Sequence, residues 1–231
     1  MGDVFEERFV VFIDILGFGA MVTRAACCQI EAERIDSALE KIKKLENISI
    51  DQCRSHIFSD CIYISVPKKR SLVSKLFKEL AELTIDLMRE GVWIRGGIVL
   101  GNISKRDDIP WGPALVEAYR IESQVAEFPR ICFGASALKY VRYQMDGKER
   151  DNLIRRAPDG VWALQPIIWT LSYDYLQRSI AKEIMTKLDS ARAETVDNPK
   201  VFKKINWLCK AWNNQICSQY PDCEVKLECR P

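Results

Sequence analysis

The chain has 231 residues, a net charge of +2, 48% hydrophobic residues and 29% charged residues. This composition is typical of one large globular domain, or of a domain with an extension, and it excludes a mainly disordered or low-complexity chain. It also excludes a polybasic nucleic-acid binder by bulk charge, and no apolar run in the sequence approaches the ~20 residues that span a bilayer.

The predicted elements alternate between strands and helices. A strand over residues 9–14 leads into a turn at Gly17 and Gly19, where glycine allows a tight backbone path. The elements that follow are a helix over 30–45, a hairpin over 55–66, a helix over 71–89, a strand over 92–100, a loop over 104–112, a helix over 113–125, a strand over 130–133 and a short helix from 136. This order predicts a ferredoxin-like α+β fold.

The character of the sequence changes after residue 145. The polar stretch 146–160 is typical of a linker or an exposed loop, so we predict a catalytic domain over 1–150 and a mainly helical extension over 151–231. A helix is expected over 173–192, and Asn198 followed by Pro199 is typical of the cap and first turn of another. Four of the six tryptophans lie in the extension, which is therefore expected to pack on the core or on a dimer interface.

The nine cysteines do not have the number or spacing typical of a disulfide framework or a zinc site. Their number is odd, no CxxC pair occurs, and the chain has a single histidine. No export signal is recognisable at the start of the sequence. We therefore expect reduced, mostly buried thiols, a cytoplasmic location, and neither a membrane nor a nucleic acid as partner.

Two acidic residues are candidates for metal chemistry. Asp14 ends an apolar strand, and Asp60 lies in the turn of an apolar hairpin. Hard divalent cations prefer carboxylate, carbonyl and water oxygens, and two such ions can activate a hydroxyl and stabilise a leaving pyrophosphate. The turn after Asp14 also offers backbone N–H groups to a phosphate. From position alone, a helix cap and a turn residue explain the two aspartates equally well.

Five segments, taken in order, resemble the class III nucleotidyl cyclase catalytic domain. They are 12–18 (FIDILGF), 58–63 (FSDCIY), 93–98 (WIRGGI) with Gly101, 115–123 (LVEAYRIES) and 130–136 (RICFGAS). The run 112–122 (GPALVEAYRIE), together with 58–60, is similar to the pyrimidine cyclases of bacterial Pycsar antiphage defence.

The resemblance implies a reaction and its partners. UTP or CTP would be converted to a 3′,5′-cyclic nucleotide and pyrophosphate in a homodimer with composite active sites, and a separate cyclic-nucleotide-binding effector would respond to the product. Two divalent ions, Mn²⁺ or Mg²⁺, would be held by Asp14, Asp60 and the backbone carbonyl of Ile15. Arg120 would be the catalytic arginine.

The base-reading positions depart from the purine cyclases. His56 and Ile109 occupy them, and Val116 replaces an expected asparagine. The candidate substrate-binding residues at or near these positions are Phe18, Arg54, His56, Phe58, Arg95 and Ile109. Because arginine offers only donors, which suit the two carbonyls of uracil, we expect UTP rather than CTP.

Other interpretations stay open. The chain could be a cytidylate cyclase, a cyclase-like module that binds nucleotides without turnover, or, least favoured, a dinucleotide cyclase, whose Gly-Gly-Asp/Glu-Glu-Phe pattern does not occur. For several of the candidate residues, a purely structural role is an alternative to a functional one. His56 could be a hydrogen-bonded strand residue, Arg95 could pair with a carboxylate on a neighbouring strand, and Tyr119 could be a packing residue. Glu117 and Glu122 are expected to be structural or solvated.

Overall fold

The computed structural model describes residues 4–47 and 52–227. The strands are β1 Phe5–Ile15, β2 Arg54–Phe58, β3 Cys61–Pro67, β4 Ile94–Ser104, β5 Ile131–Phe133, β6 Ile154–Arg156 and β7 Trp162–Leu164. The helices are α1 Phe18–Ala25, α2 Gln29–Lys43, α3 Arg70–Arg89, α4 Pro113–Gln124, α5 Ala135–Gln144, α6 Gly147–Leu153, α7 Pro166–Ser172, α8 Arg178–Glu194 and α9 Pro199–Ile216, with 3₁₀ turns at Lys44–Asn47 and Pro221–Cys223.

The sheet has the predicted ferredoxin-like centre. Within the described residues its strand order is β2-β3-β1-β4-β5-β7-β6. Strand β1 pairs antiparallel with both β3 and β4, so that Val11 lies between Ile64 and Ile98. Helical crossovers connect β1 to β2 and β3 to β4, which confirms the α+β class predicted from the element order.

The two faces of the sheet carry different helices. Because strand side chains alternate, Phe9 and Ile13 of β1 pack in the cluster that contains α2 and α3, whereas Val10 packs with α4 on the opposite face. Gly97 permits this second contact, since a Cβ there would collide with the backbone oxygen of Ala118. Helix α4 therefore lies directly on β4 and β1.

The polar stretch 146–160 is not a linker, and that prediction is wrong. Asp146 caps α6, its Oδ1 accepting hydrogen bonds from the backbone N–H groups of Lys148 at 2.9 Å and Glu149 at 3.4 Å. Strand β6 follows, pairs with β7, and β7 pairs with β5. Most of the charged side chains are exposed on a short helix and an edge strand, so a polar sequence is compatible with regular structure. The division at residue 150 stays a prediction, although strands beyond it join the same sheet.

The C-terminal part is mainly helical, with one boundary that differs from the prediction. The helix expected from residue 173 begins at Arg178, because the chain turns at Asp174, whose φ is 57°, after the short helix α7. The cap at Asn198 is confirmed: its side chain accepts a hydrogen bond from the Val201 N–H at 3.3 Å. Helices α8 and α9 pack with the end of α3 around the buried Trp212.

The described cysteines are all free thiols, and three of them, Cys132, Cys209 and Cys223, are buried. Cys27 is exposed, the other four are half-buried, and Cys229 lies outside the described residues, so "mostly buried" is only partly right. Within residues 4–47 and 52–227, no helix combines the length and the apolar character needed to cross a membrane.

Candidate active site

The structure brings Asp14 and Asp60 together at one end of the sheet. Asp14 is the penultimate residue of β1, and Asp60 lies in the hairpin turn between β2 and β3, where the backbone N–H of Ile15 donates to the Asp60 carbonyl at 3.2 Å. One carboxylate oxygen of each aspartate and the sulfur of Cys61 all lie within 4.8 Å of one another. We call Asp14 and Asp60 the acidic pair.

The hairpin turn has a strained backbone residue. Ser59 has a φ of 56°, in the left-handed region that glycine occupies more readily than serine. This turn sets the position of Asp60 beside β1. The serine therefore adopts a backbone conformation that glycine would adopt without strain.

An arginine lies between two carboxylates beside the acidic pair. The Nε atom of Arg95 is 3.1 Å from Oδ2 of Asp14 and 2.6 Å from Oε1 of Glu122, a residue of α4 whose side chain is only 3% exposed. Burial raises the pKa of Asp14, Arg95 acts to lower it, and the nearby Asp60 raises it further. Burial likewise raises the pKa of Glu122, against the effect of Arg95.

The donor set of the acidic pair fits a divalent cation. Carboxylate oxygens are the ligands that Mg²⁺ and Mn²⁺ prefer, and Asp14, Asp60 and Glu122 outnumber the one guanidinium beside them. Burial raises the pKa of the Cys61 thiol, and the neighbouring carboxylates raise it further. A soft sulfur atom is also a poor match for these hard cations. The pair is thus a candidate metal site of oxygen ligands. The expected contribution of the Ile15 carbonyl stays a prediction.

The turn after Asp14 leaves room for a ligand. Gly17, with a φ of 76°, precedes α1, and a Cβ atom at Gly17 or Gly19 would meet nothing within 4 Å. Phe18, between them, is half-buried against the main core cluster. The predicted docking of a phosphate at this turn is compatible with that space.

Arg54 and His56 lie further along β2, away from the acidic pair. They stand opposite Ser65 and Tyr63 on β3, whereas Phe58 stands opposite Cys61 beside the turn. Arg54 pairs with Glu6 at 2.6 Å and with Asp107. His56 Nε2 is 2.7 Å from the Asp107 carbonyl, which matches its reading as a hydrogen-bonded strand residue. Contact of either residue with a base stays a prediction.

Several large apolar side chains are exposed on the hairpin, on α4 and in the loop that precedes α4. Phe58 is 82% exposed, and Ile109, Val116 and Tyr119 are each more than half exposed. Tyr119 also packs edge-on against Phe12 of β1, with ring centroids 5.5 Å apart. Phe58 and Tyr119 therefore lie near the acidic end of the sheet, whereas Ile109, in the loop that follows β4, lies toward the opposite end, where Ser104 pairs with Phe5.

Arg120 points outward from α4. Its side chain is 58% exposed and makes two hydrogen bonds to Glu117, at 2.9 and 2.8 Å. This pairing lowers the pKa of Glu117. No contact within the described residues joins Arg120 to Asp14 or Asp60. The candidate catalytic arginine and the acidic pair are therefore separate within one chain.

Comparisons with known proteins give distant structural similarities. No protein-family model and no curated protein matches the chain. The structure of the adenylyl cyclase CyaB from P. aeruginosa is 14% identical, over 69% of this chain and 94% of the chain in that structure, with a TM-score of 0.49.

Two further similar structures have comparable scores. One is the monomeric guanylyl cyclase domain of the RhoGC fusion protein from the aquatic fungus Blastocladiella emersonii, 12% identical over 69% of this chain and 95% of that one, with a TM-score of 0.49. Another, a class III adenylyl cyclase-like ATP-binding protein from Pseudomonas aeruginosa, is 13% identical over 89% of this chain and 44% of that one, with a TM-score of 0.41. Similarities at this level establish neither a family nor an activity.

The sequence analysis did not identify Glu122 as a partner of Arg95. Arg95 pairs with a carboxylate on the neighbouring strand, as its structural reading expected, and Glu122 adds a second partner from α4. Ala114, Ala118 and Ile121 form the buried stripe of α4, and the helical period places Glu122 on that stripe as well. A buried helix position occupied by glutamate signals a cationic partner on the sheet beneath it.

Proposed function

We propose that this chain is a metal-dependent nucleotidyl cyclase, which converts a nucleoside triphosphate to its 3′,5′-cyclic monophosphate and pyrophosphate. The observation that carries the proposal is the meeting of Asp14 and Asp60, which are distant in sequence and arise from a strand end and a hairpin turn. Their carboxylates are half-buried, and the negative charges at the site outnumber the positive charges beside it. A bound divalent ion explains this arrangement better than a purely structural role in the turn does.

Each residue of the candidate site would have a separate role in the reaction. Asp14 and Asp60 would hold one or two divalent cations, Mn²⁺ or Mg²⁺. When bound, such ions supply the positive charge that activates the 3′-hydroxyl and stabilises the leaving pyrophosphate. Arg120 would stabilise the charge that develops on the phosphate oxygens during in-line attack on the α-phosphorus. The open turn at Gly17 would receive part of the triphosphate.

We further propose that the active site forms between two copies of the chain. Arg120 points to solvent, together with the exposed apolar side chains of Val116 and Tyr119 on the same helix. An exposed apolar surface beside a charged group is typical of an interaction site. A partner copy seated on this surface would bring its own Arg120 to the acidic pair and would cover Phe58.

The substrate we propose is UTP, with CTP as the alternative. Support comes from the likeness of residues 112–122 to pyrimidine cyclases and from the lack of a purine-reading pair at His56 and Ile109. Formation of cyclic UMP as the signal of an antiphage defence system, read by a separate effector, belongs to the same proposal.

The first experiment tests the acidic pair. Purified protein is incubated with each of the four nucleoside triphosphates and Mn²⁺, and the products are identified by mass spectrometry. We expect cyclic UMP, and we expect Asp14→Asn and Asp60→Asn to abolish its formation while circular dichroism stays unchanged. Asp108→Asn, an exposed aspartate paired only with Arg106, is the matched control and should keep full activity.

The outcomes separate the levels of the proposal. Cyclic AMP as the main product would reject the pyrimidine assignment, and cyclic CMP would reject only the choice of UTP. Tight nucleotide binding without any cyclic product would favour the binding-module alternative. Normal turnover by either variant of the acidic pair, at matched cation concentration, would reject the metal site itself.

The second experiment tests the composite site by mixing two inactive variants. Asp14→Ala carries an intact Arg120, and Arg120→Ala carries an intact acidic pair. Random pairing makes half of the dimers mixed, each with one intact site of two, so about one quarter of the wild-type activity should return. Absence of recovery, although mixed dimers are detected by native mass spectrometry, would contradict the shared site.

A further inference from the structure

A cavity of about 200 Å³ lies beside the first residues of β4 and β5. Ile94 of β4 lines it, and the next residue, Arg95, points the other way toward Asp14, because consecutive strand residues face opposite sides. The walls come from β4, β5, β7, α3, α7 and α9. The apolar lining consists mainly of Met88, Ile94, Ile131, Leu164, Ile167 and Leu208.

A buried arginine lines this cavity with unsatisfied donors. Arg130 is only 7% exposed, and its Nη2 atom pairs with Asp159 at 2.6 Å. Its Nε and Nη1 atoms are buried and have no oxygen acceptor within the described residues, and the thiol of Cys132 lies beside the guanidinium. Burial raises the pKa of the neighbouring Cys132 to about 11, so that thiol is neutral and adds no negative charge. Unpaired buried donors are costly, so their presence beside a cavity points to a missing acceptor.

The surroundings of Arg130 select an anion with an apolar part. Its guanidinium lies 5.4 Å from the ring centroid of Trp207, which also lines the cavity. Arg155 and Arg156 are exposed and line the cavity, so it reaches solvent between positive charges. The lining residues include no aspartate or glutamate. A ligand here would meet positive charge, an aromatic ring and aliphatic walls at once.

From these observations we propose that the cavity is a binding site for a small organic monocarboxylate with an aromatic or branched apolar body. The carboxylate would accept hydrogen bonds from Nε and Nη1 of Arg130, and the apolar body would pack against Trp207 and Leu208. An apolar cavity of about 150 Å³ holds one benzene ring, so about 200 Å³ accommodates a ring with a short acidic side chain. This site is separate from the proposed cyclase chemistry, and its occupancy is measured by binding alone.

The experiment uses phenylacetate as the probe and phenylacetamide as its uncharged counterpart. Binding to the full chain is followed by isothermal titration calorimetry and by the fluorescence of Trp207, with Trp207→Phe identifying that signal among the other tryptophans. We expect saturable binding of phenylacetate at or below about 1 mM, and binding of the amide at least about tenfold weaker. Inorganic phosphate, which lacks an apolar body, should also bind at least about tenfold more weakly.

Two variants locate the site. Arg130→Met removes the donors and should weaken phenylacetate binding by at least about tenfold, and Arg106→Met, an exposed arginine of the loop before α4, should leave binding unchanged. Because Arg130→Met also leaves Asp159 without its ion-pair partner, Ala211→Phe provides an independent test: it fills the cavity and keeps Arg130.

The results decide the proposal in each case. Loss of binding in Ala211→Phe, with preference for the acid over the amide, supports it even when Arg130→Met fails to fold. Equal binding of acid and amide, tighter or equal binding of inorganic phosphate, unchanged binding in Ala211→Phe, or no binding of phenylacetate would overturn it.

Discussion

Replacing Arg95 with methionine would leave the carboxylates of Asp14 and Glu122 without the guanidinium that now lies between them. Methionine retains much of the aliphatic volume, so the main change is the loss of one positive charge. Glu122 is almost fully buried, and its ion pair with Arg95 is 2.6 Å long. The variant therefore creates an uncompensated charge inside the protein, and it removes the group that offsets repulsion between Asp14 and Asp60.

The expected loss follows from this geometry. Breaking a buried ion pair by removing one partner costs about 3–5 kcal/mol. Because the Arg95 side chain keeps 23% of its surface exposed, water screens the pair in part. We therefore expect the lower end of that range, about 3 kcal/mol in the free energy of unfolding, or roughly a hundredfold in the ratio of folded to unfolded chains.

The assay is urea denaturation with linear extrapolation, applied to Arg95→Met, Glu122→Gln and the double variant. The double variant should be more stable than Arg95→Met alone, because Glu122 then no longer carries an unpaired charge. The matched control is Arg120→Met, whose exposed pair with Glu117 should contribute less than about 0.5 kcal/mol.

The pH dependence of Arg95→Met provides a second readout. Burial raises the pKa of Glu122 and Arg95 acts to lower it, so losing Arg95 raises the folded-state pKa further. A carboxyl group with a raised folded pKa favours the folded state when protonated, and this stabilisation is lost as the pH rises through that pKa. The deficit of Arg95→Met should thus be larger at about pH 8 than at about pH 5. Unchanged stability, with a selective fall in kcat/KM for UTP, would refute the ion-pair reasoning and favour base recognition by Arg95.

Two smaller predictions concern the hairpin and the C-terminal helices. Ser59→Gly should raise the free energy of unfolding by up to about 1 kcal/mol, because glycine adopts the φ of 56° without strain. Ser59→Ala should not raise it. Equal effects of the two variants in urea denaturation would contradict the conclusion that the backbone of Ser59 is strained. Trp212→Ala should cost about 3–5 kcal/mol, since the side chain is fully buried and its Nε1 donates to the Cys223 carbonyl at 2.9 Å. Val201→Ala, a partly exposed residue of the same helix, should change stability by only about 0.5 kcal/mol, and a similar loss in both variants would contradict the special role of Trp212.

Local patterns were sufficient to predict most elements up to residue 144 and the start of the last helix. The apolar strand β1, the leucine-rich α3 and the cap at Asn198 each carry their signal within a few residues, and the structure has all three. Residues 146–160 carry no such signal. The strand in this stretch, β6, gains stability from pairing with β7, which is a tertiary effect that local polarity does not reveal.

The candidate site was predictable in part for the same reason. Asp14 and Asp60 lie at a strand end and a turn, so the topology of the sheet brings them together. The ion-pair partners of Arg54 and Arg95 depend on how the loop before α4, and α4 itself, pack on the sheet. Such long-range pairing has no local sequence pattern, although the buried position of Glu122 on α4 was a signal that could have been used.

Helix α3 belongs to two hydrophobic clusters at once. Its first half, with Leu76 and Phe77, packs beneath the sheet, and Ile85 and Met88 near its end pack against α8 and α9. Unfolding the C-terminal helices would expose apolar surface on an element that the central sheet also needs. The regions before and after residue 150 should therefore unfold together in one cooperative transition. The first 150 residues alone would expose the apolar surface of α3 that packs against α8 and α9, and they would not fold as an independent module.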